Sequence, residues 1–311
     1  MKRSDFFMRK WLMIVISLIV IMIGFMSVKF SNQLDNYTVQ DTTFVDPIVD
    51  PIVDDSSWGV FSKHAILVDL KDNKILYARE ADERTYPASL TKMMTVLVAI
   101  ENLSTEMMKV PNDFSYLYEQ NAALAGFLPG DLVRTSDLLY GIMLPSGADA
   151  ALTVAENIAG SEAKFVKLMN EKSKELGMNN THFTNVIGLH NNNHYTTVHD
   201  LAILLEYALK NPTFKKIFTT DIYTTAPTQY SDGMTFKSRL FSKIDSPNFN
   251  GGKLLGGKTG YTEEAELCLA SLATDGKKEY ILVTTNAEGG PYTEQTNILD
   301  AFNLYERFLG E

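Results

Sequence analysis

Three short runs, far apart in the chain, constrain the fold most: Ser89-Leu90-Thr91-Lys92, Ser146-Gly147-Ala148 and Lys258-Thr259-Gly260. Alone, each has an ordinary reading: a helix cap beside a solvated lysine, a link between helices, a turn. Brought together, they supply two hydroxyls and two lysines, the parts of a nucleophilic site. If a helix starts near Ser89, Ser89 and Lys92 share one of its faces, with Ser89 at the positive end of the dipole. A lysine becomes a base only when burial or another cation lowers its pKa. Lys258, placed on a strand edge, is expected to be that cation and to attract a carboxylate, which Thr259 would bind. Ser146 would relay a proton between Lys92 and a leaving group. Gly260 lets a ligand approach the backbone, and the N–H groups of Ser89 and Tyr261 would form an oxyanion hole. Two look-alikes occur, Ser161-Glu162-Ala163-Lys164 at the mouth of an amphipathic helix and Ser246-Pro247-Asn248, which sits too close to Lys258 to be a middle element.

The N-terminus addresses the rest. Lys2, Arg3, Arg9 and Lys10 precede a charge-free apolar run over 11–28, near the lower length for a membrane span. Positive charge before it keeps residues 1–10 in the cytoplasm and exports the chain beyond the run. No small-residue cleavage pattern comes after Val28, which favours a signal anchor over a cleaved peptide. Residues 29–57 repeat Asp-Pro-Ile-Val, and proline with like charges implies an extended linker. Residues 58–311 would then be one extracytoplasmic domain, in a chain that is 45% apolar and able to bury a core. The net charge of −10 argues against a nucleic-acid partner. The single cysteine, Cys268, excludes an internal disulfide and reads as a buried thiol with Glu263, Glu264 and Glu266 nearby.

Residues 65–69 and 74–78 read as a hairpin across Lys71-Asp72-Asn73. Helices are expected over 89–101, 138–144, 150–159, 162–176 (ended by Gly177), 197–210 (capped by Thr197) and 292–309. Residues 219–257 read as strands and loops, and 267–273 and 280–285 as further strands. Strands at both ends with helices between them indicate an α+β fold, an antiparallel sheet flanked by helices.

The motifs in their contexts resemble the serine D-alanyl-D-alanine carboxypeptidases, the low-molecular-mass penicillin-binding proteins. Residues 86–95 resemble the nucleophile segment, and Leu144-Pro145-Ser146-Gly147 with Asp149-Ala150-Ala151 the second motif. Thr181-His182-Phe183, Gly188-Leu189-His190 and His194-Tyr195-Thr196-Thr197 resemble the middle segment, and residues 257–262 the third. The resemblance covers about residues 60 to 287. It implies an α/β part and an all-helical subdomain meeting at the site. It implies attack by Ser89 on the bond between two terminal D-alanines of a peptidoglycan stem peptide, with an acyl-enzyme that water hydrolyses. β-Lactams would acylate the same serine, and no cofactor is implied.

Two departures stand out. The second motif usually ends in Asn, where this chain has Ala148. The chain also ends soon after the catalytic part, so a C-terminal β domain and C-terminal anchor are not expected. A class A-like β-lactamase and a weakly catalytic penicillin- or wall-binding module remain alternatives. His190, His194 and His199 invite a zinc site, but no H-E-x-x-H occurs, and loop-ordering roles are expected. Arg239 and Lys243 are candidates for the cation that binds a substrate carboxylate.

Overall fold

The computed structural model describes residues 58–310. The expected tail, membrane span and linker lie outside them, and among the described residues no helix is long and apolar enough to cross a membrane.

Strands β1 (Ser62–Asp69) and β2 (Lys74–Arg79) form the expected hairpin. Helix α1 (Thr91–Glu101) comes after a 3-10 turn, Ala88–Leu90, so Ser89 lies just before the α-helix. A ribbon of β3 (Met107–Lys109) and β4 (Leu132–Arg134) encloses the short α2 (Tyr116–Glu119). Three helices come next: α3 (Thr135–Met143), α4 (Ala148–Ala159) and α5 (Glu162–Glu175). They lead to α6 (Val198–Leu209) and α7 (Pro212–Phe218), then the ribbon of β5 (Ile222–Thr224) and β6 (Thr235–Lys237). The chain returns to the sheet with β7 (Asn248–Phe249), β8 (Gly252–Thr262), β9 (Glu266–Thr274) and β10 (Glu279–Ala287), and α8 (Thr296–Leu309) closes it.

The main sheet has the order β2-β1-β10-β9-β8-β7, antiparallel throughout. Its inner strands are apolar on both faces because both are covered. In β1, Ile66 and Val68 belong to the core that includes α1 and α6, whereas Ala65 and Leu67 pack with Ile298, Leu304 and Tyr305 of α8. This is the two-residue period of a strand read twice. Helices α1, α3, α4 and α5 build the helical part, and α1 is its inner member, with nine consecutive residues, Thr91 to Ala99, buried.

Caps set several boundaries. Thr197 accepts from the Asp200 N–H and so starts α6. Ser161 accepts from the Lys164 N–H, so the look-alike serine is a helix cap and its lysine is exposed. β7 pairs with β8 only at Asn248–Lys253 and Phe249–Gly252. Beyond these pairs the outer edge of β8, carrying Lys258 to Tyr261, is unpaired among the described residues and borders a cleft.

Candidate active site

The cleft, about 580 Å³, is lined by Ser89, Lys92, Ser146, Thr259, Gly260 and Tyr261 among others. The fold therefore brings all three runs to one place. Lys92 is 2% exposed, and its Nζ donates to Ser89 Oγ at 3.2 Å and to the Ile187 carbonyl at 2.6 Å. Burial, then the charge of Arg239, lowers its pKa to about 7, against the opposing pull of Asp149. An amine that is about half neutral near pH 7 can take the proton of a hydroxyl at this distance.

Lys258 is equally buried, and its Nζ donates to Ser146 Oγ at 2.9 Å and to the Thr259 carbonyl at 2.8 Å. Burial and the neighbouring Lys92 and Arg239 push its pKa well below the usual lysine range. Arg239 is the cation whose charge is felt at Lys92, and Lys92 and Lys258 oppose each other's charge in the same buried place. The Ser146 hydroxyl is tied to Lys258, while Lys92 bonds Ser89.

The backbone around these side chains is tight. Ala88 and Ser146 both have positive φ, 44° and 70°, unusual for residues with a Cβ. An added Cβ on Gly260 would lie 3.1 Å from the Ser89 nitrogen and 3.2 Å from the Ala88 Cβ, so a larger residue there would crowd the nucleophile's backbone. Arg239 is exposed on the cleft wall, with Nε donating to the Pro145 carbonyl at 2.8 Å. Lys243 Nζ donates to the Pro291 carbonyl at 2.9 Å. Both cations bond carbonyl oxygens rather than carboxylates, which leaves their charge for an anionic ligand.

The three histidines part company. His194 is buried; its Nδ1 accepts from the Thr184 N–H at 3.1 Å, so Nε2–H faces Thr91 Oγ1 at 2.8 Å. Burial first, then nearby His182 and His190, holds its pKa down at about 3. His190 lies at the cleft against Tyr86 and Glu264, and His199 pairs with Asp82. Cys268 is fully buried across from Gly260, and burial pushes its thiol up to about 12.

Sequence reading missed Ile187 and Asn185. The Asn185 Oδ1 accepts from the N–H groups of Ile187, Gly188 and Leu189 and so holds the carbonyl that receives Lys92. The only signal for them is the neighbouring Gly188, which belongs to the family resemblance.

Ala148 begins α4 at the cleft, and its N–H donates to the Ala123 carbonyl at 2.7 Å. Its methyl group stands where the resemblance implies an Asn side chain, and one polar contact from such a side chain is worth about 1–3 kcal/mol. Ala148→Asn should therefore raise the rate of acylation about tenfold. A rate equal to or below that of the native chain in a labelled-penicillin assay would refute this.

Partly exposed Ser89 bonded to buried Lys92, at the junction of an antiparallel sheet and a helical part, is the arrangement of a serine acyl-transfer site. The chain belongs to the D-alanyl-D-alanine carboxypeptidase family, whose model matches residues 53–289. It is 36% identical over 253 residues to the D-alanyl-D-alanine carboxypeptidase DacF of Bacillus subtilis, covering 79% of this chain and 63% of that protein. It is 34% identical to DacC of Escherichia coli, covering 76% and 58%. The chain thus spans about three fifths of the length of these two relatives. The solved DD-transpeptidase of Streptomyces K15 superposes with a TM-score of 0.70 at 30% identity, covering 83% of this chain and 98% of that one.

Proposed function

We propose that the chain is a serine-type D-Ala-D-Ala carboxypeptidase that removes the terminal D-alanine of peptidoglycan stem peptides. The observation that carries this reading is the buried Lys92 amine, lowered to about 7 and 3.2 Å from Ser89 Oγ, beside an open strand edge. Neutral Lys92 takes the Ser89 proton as Oγ attacks the penultimate carbonyl carbon. The Ser89 and Tyr261 N–H groups receive the developing oxyanion. The C–N bond then breaks; the departing D-alanine amine takes the Ser146 hydroxyl proton, the proton that Lys92 took from Ser89 restores that hydroxyl, and Lys258 holds Ser146 in place. Thr259 and Arg239 bind the substrate carboxylate, and Gly260 admits the peptide backbone alongside β8. Water hydrolyses the acyl-enzyme. β-Lactams, which present a strained amide to the same serine, acylate Ser89.

The basic residues before 11–28 support anchoring of residues 58–311 outside the cell by that run, across the linker 29–57. Incubation with a D-Ala-D-Ala pentapeptide tests the core of the reading. The native protein should release D-alanine, and Ser89→Ala should release less by about a thousandfold or more. Equal release by both proteins would overturn the assignment of Ser89.

A further inference from the structure

A buried carboxylate that the reaction does not consume lies directly behind the site. Asp149, in the first turn of α4, is fully buried. Its Oδ1 accepts from the Ala125 N–H at 2.7 Å, and its Oδ2 accepts from those of Gly126 and Phe127 at 2.8 and 2.9 Å. Gly126, at φ 105°, supplies the turn that aims these successive N–H groups at one carboxylate. A carboxylate taking three N–H donors in a buried place is held far more firmly than a surface pair.

What it holds is the cleft wall. Residues 120–123 line the cleft, and the Ala123 carbonyl receives the Ala148 N–H. Ala125 in turn fills the space beside Gly147, where an added Cβ would lie 2.6 Å from the Ala125 Cβ and 2.8 Å from the Gly141 carbonyl oxygen. The segment between α3 and α4 has no room to shift, and its Ser146 is kept at positive φ with Oγ 2.9 Å from Lys258 Nζ.

We infer that Asp149 is a positioning residue of this site: its carboxylate clamps residues 125–127 to the start of α4 and thereby fixes Ser146 opposite Lys258. It acts through the backbone and touches no substrate. It also has an electrostatic signature. The charged and titratable groups facing Lys92 are Arg239, Lys258 of β8, His194 from the loop before α6, and Asp149. Among these groups of the described residues only Asp149 is negative, and its charge favours the Lys92 ammonium. The inference rests on the proposed roles of Ser89 and Lys92.

The test uses acylation by a labelled penicillin, measured across the neutral pH range for the native protein, Asp149→Asn and Ser89→Ala. Asparagine keeps the size of the side chain and loses the charge and one acceptor. Acylation by Asp149→Asn should fall about tenfold to a hundredfold. The acid limb of its pH profile should move to lower pH, because the Lys92 amine loses the negative charge of Asp149. A purely structural defect would lower the rate without moving the limb. Native rates and an unmoved limb in Asp149→Asn, with Ser89→Ala inert, would overturn the Asp149 assignment alone. Uptake of label by Ser89→Ala at the native rate would instead overturn the reading of the site. Hydrogen exchange on the native protein gives a check independent of folding of the variant. The amides of Ala125, Gly126 and Phe127 should be protected as strongly as those of α4, and rapid exchange there would refute the clamp.

Discussion

Substituting Lys92→Met lowers acylation by a β-lactam on the order of a thousandfold, and the protein melts no lower than the native chain. The first half follows from the loss of the one amine bonded to Ser89 Oγ among the described residues. The second half follows from the pKa. Lys92 titrates at 10.5 in an unfolded chain and at about 7 in the fold. Between these values the unfolded state binds more protons, so stability rises with pH in that window. The lysine thus destabilises the fold at and below pH 7, by about 4 kcal/mol, and the effect fades as pH approaches 10.5. Methionine removes this penalty. It leaves the Ile187 carbonyl without its donor, which costs about 1–3 kcal/mol. The balance favours the variant at neutral pH. Denaturant melts of both proteins from neutral to alkaline pH check the sign: the advantage of Lys92→Met should shrink as pH rises. A variant less stable than native at neutral pH, or an advantage that grows with pH, would show that Lys92 is charged in the fold. In the native protein the acylation rate should climb through about pH 7 as the amine loses its proton.

The three runs that meet in this cleft were legible in the sequence because each is a short pattern of fixed residue types and spacing. Ser89 and Lys92 sit at i and i+3 because a single turn must put a hydroxyl and an amine on one face. The hairpin of β1 and β2 and the cap at Thr197 were legible for a similar reason, since local chemistry alone selects them. Less legible was whatever depends on distant chain. Lys258 reads equally well as a turn, and only pairing of β8 with β9 makes it an edge residue. Strands β3 to β6 are three residues each, too short for any period to show. Helix α7 carried its signal, Asn211 as cap and Pro212 at the first position, over a length too short to distinguish from loop. The cation beside Lys92 was the hardest to read, since Arg239 is 147 positions away and reaches the cleft by bonding to Pro145.

Gly188→Ala should disable the site as thoroughly as loss of a catalytic group, although Gly188 takes part in no chemical step. Its φ is +86°, and an added Cβ would stand 1.9 Å from the Ala88 carbonyl oxygen and 3.0 Å from the Ser89 nitrogen. No rotamer can relieve a methyl group, so backbone must move. On one side, Ala88 already holds a left-handed φ of 44° directly before the nucleophile. On the other, Ile187 presents the carbonyl that receives Lys92, and Asn185 ties Ile187, Gly188 and Leu189 together through one oxygen. Movement of the first wall displaces Ser89; movement of the second releases Lys92. Either shift lengthens the 3.2 Å contact on which proton transfer depends. A displacement of about 1 Å at reacting groups costs on the order of a hundredfold in rate, and acylation of Gly188→Ala should fall at least that far. Thermal stability should fall too, because overpacking and a strained φ together cost about 1–3 kcal/mol or more. The contrast with Lys92→Met is the useful comparison: both variants lose acylation, but only Gly188→Ala also melts earlier. A Gly188→Ala protein that acylates within about twofold of native would show that the two walls can separate without harm. The Ser89–Lys92 contact would then owe nothing to the close approach of Gly188 to Ala88.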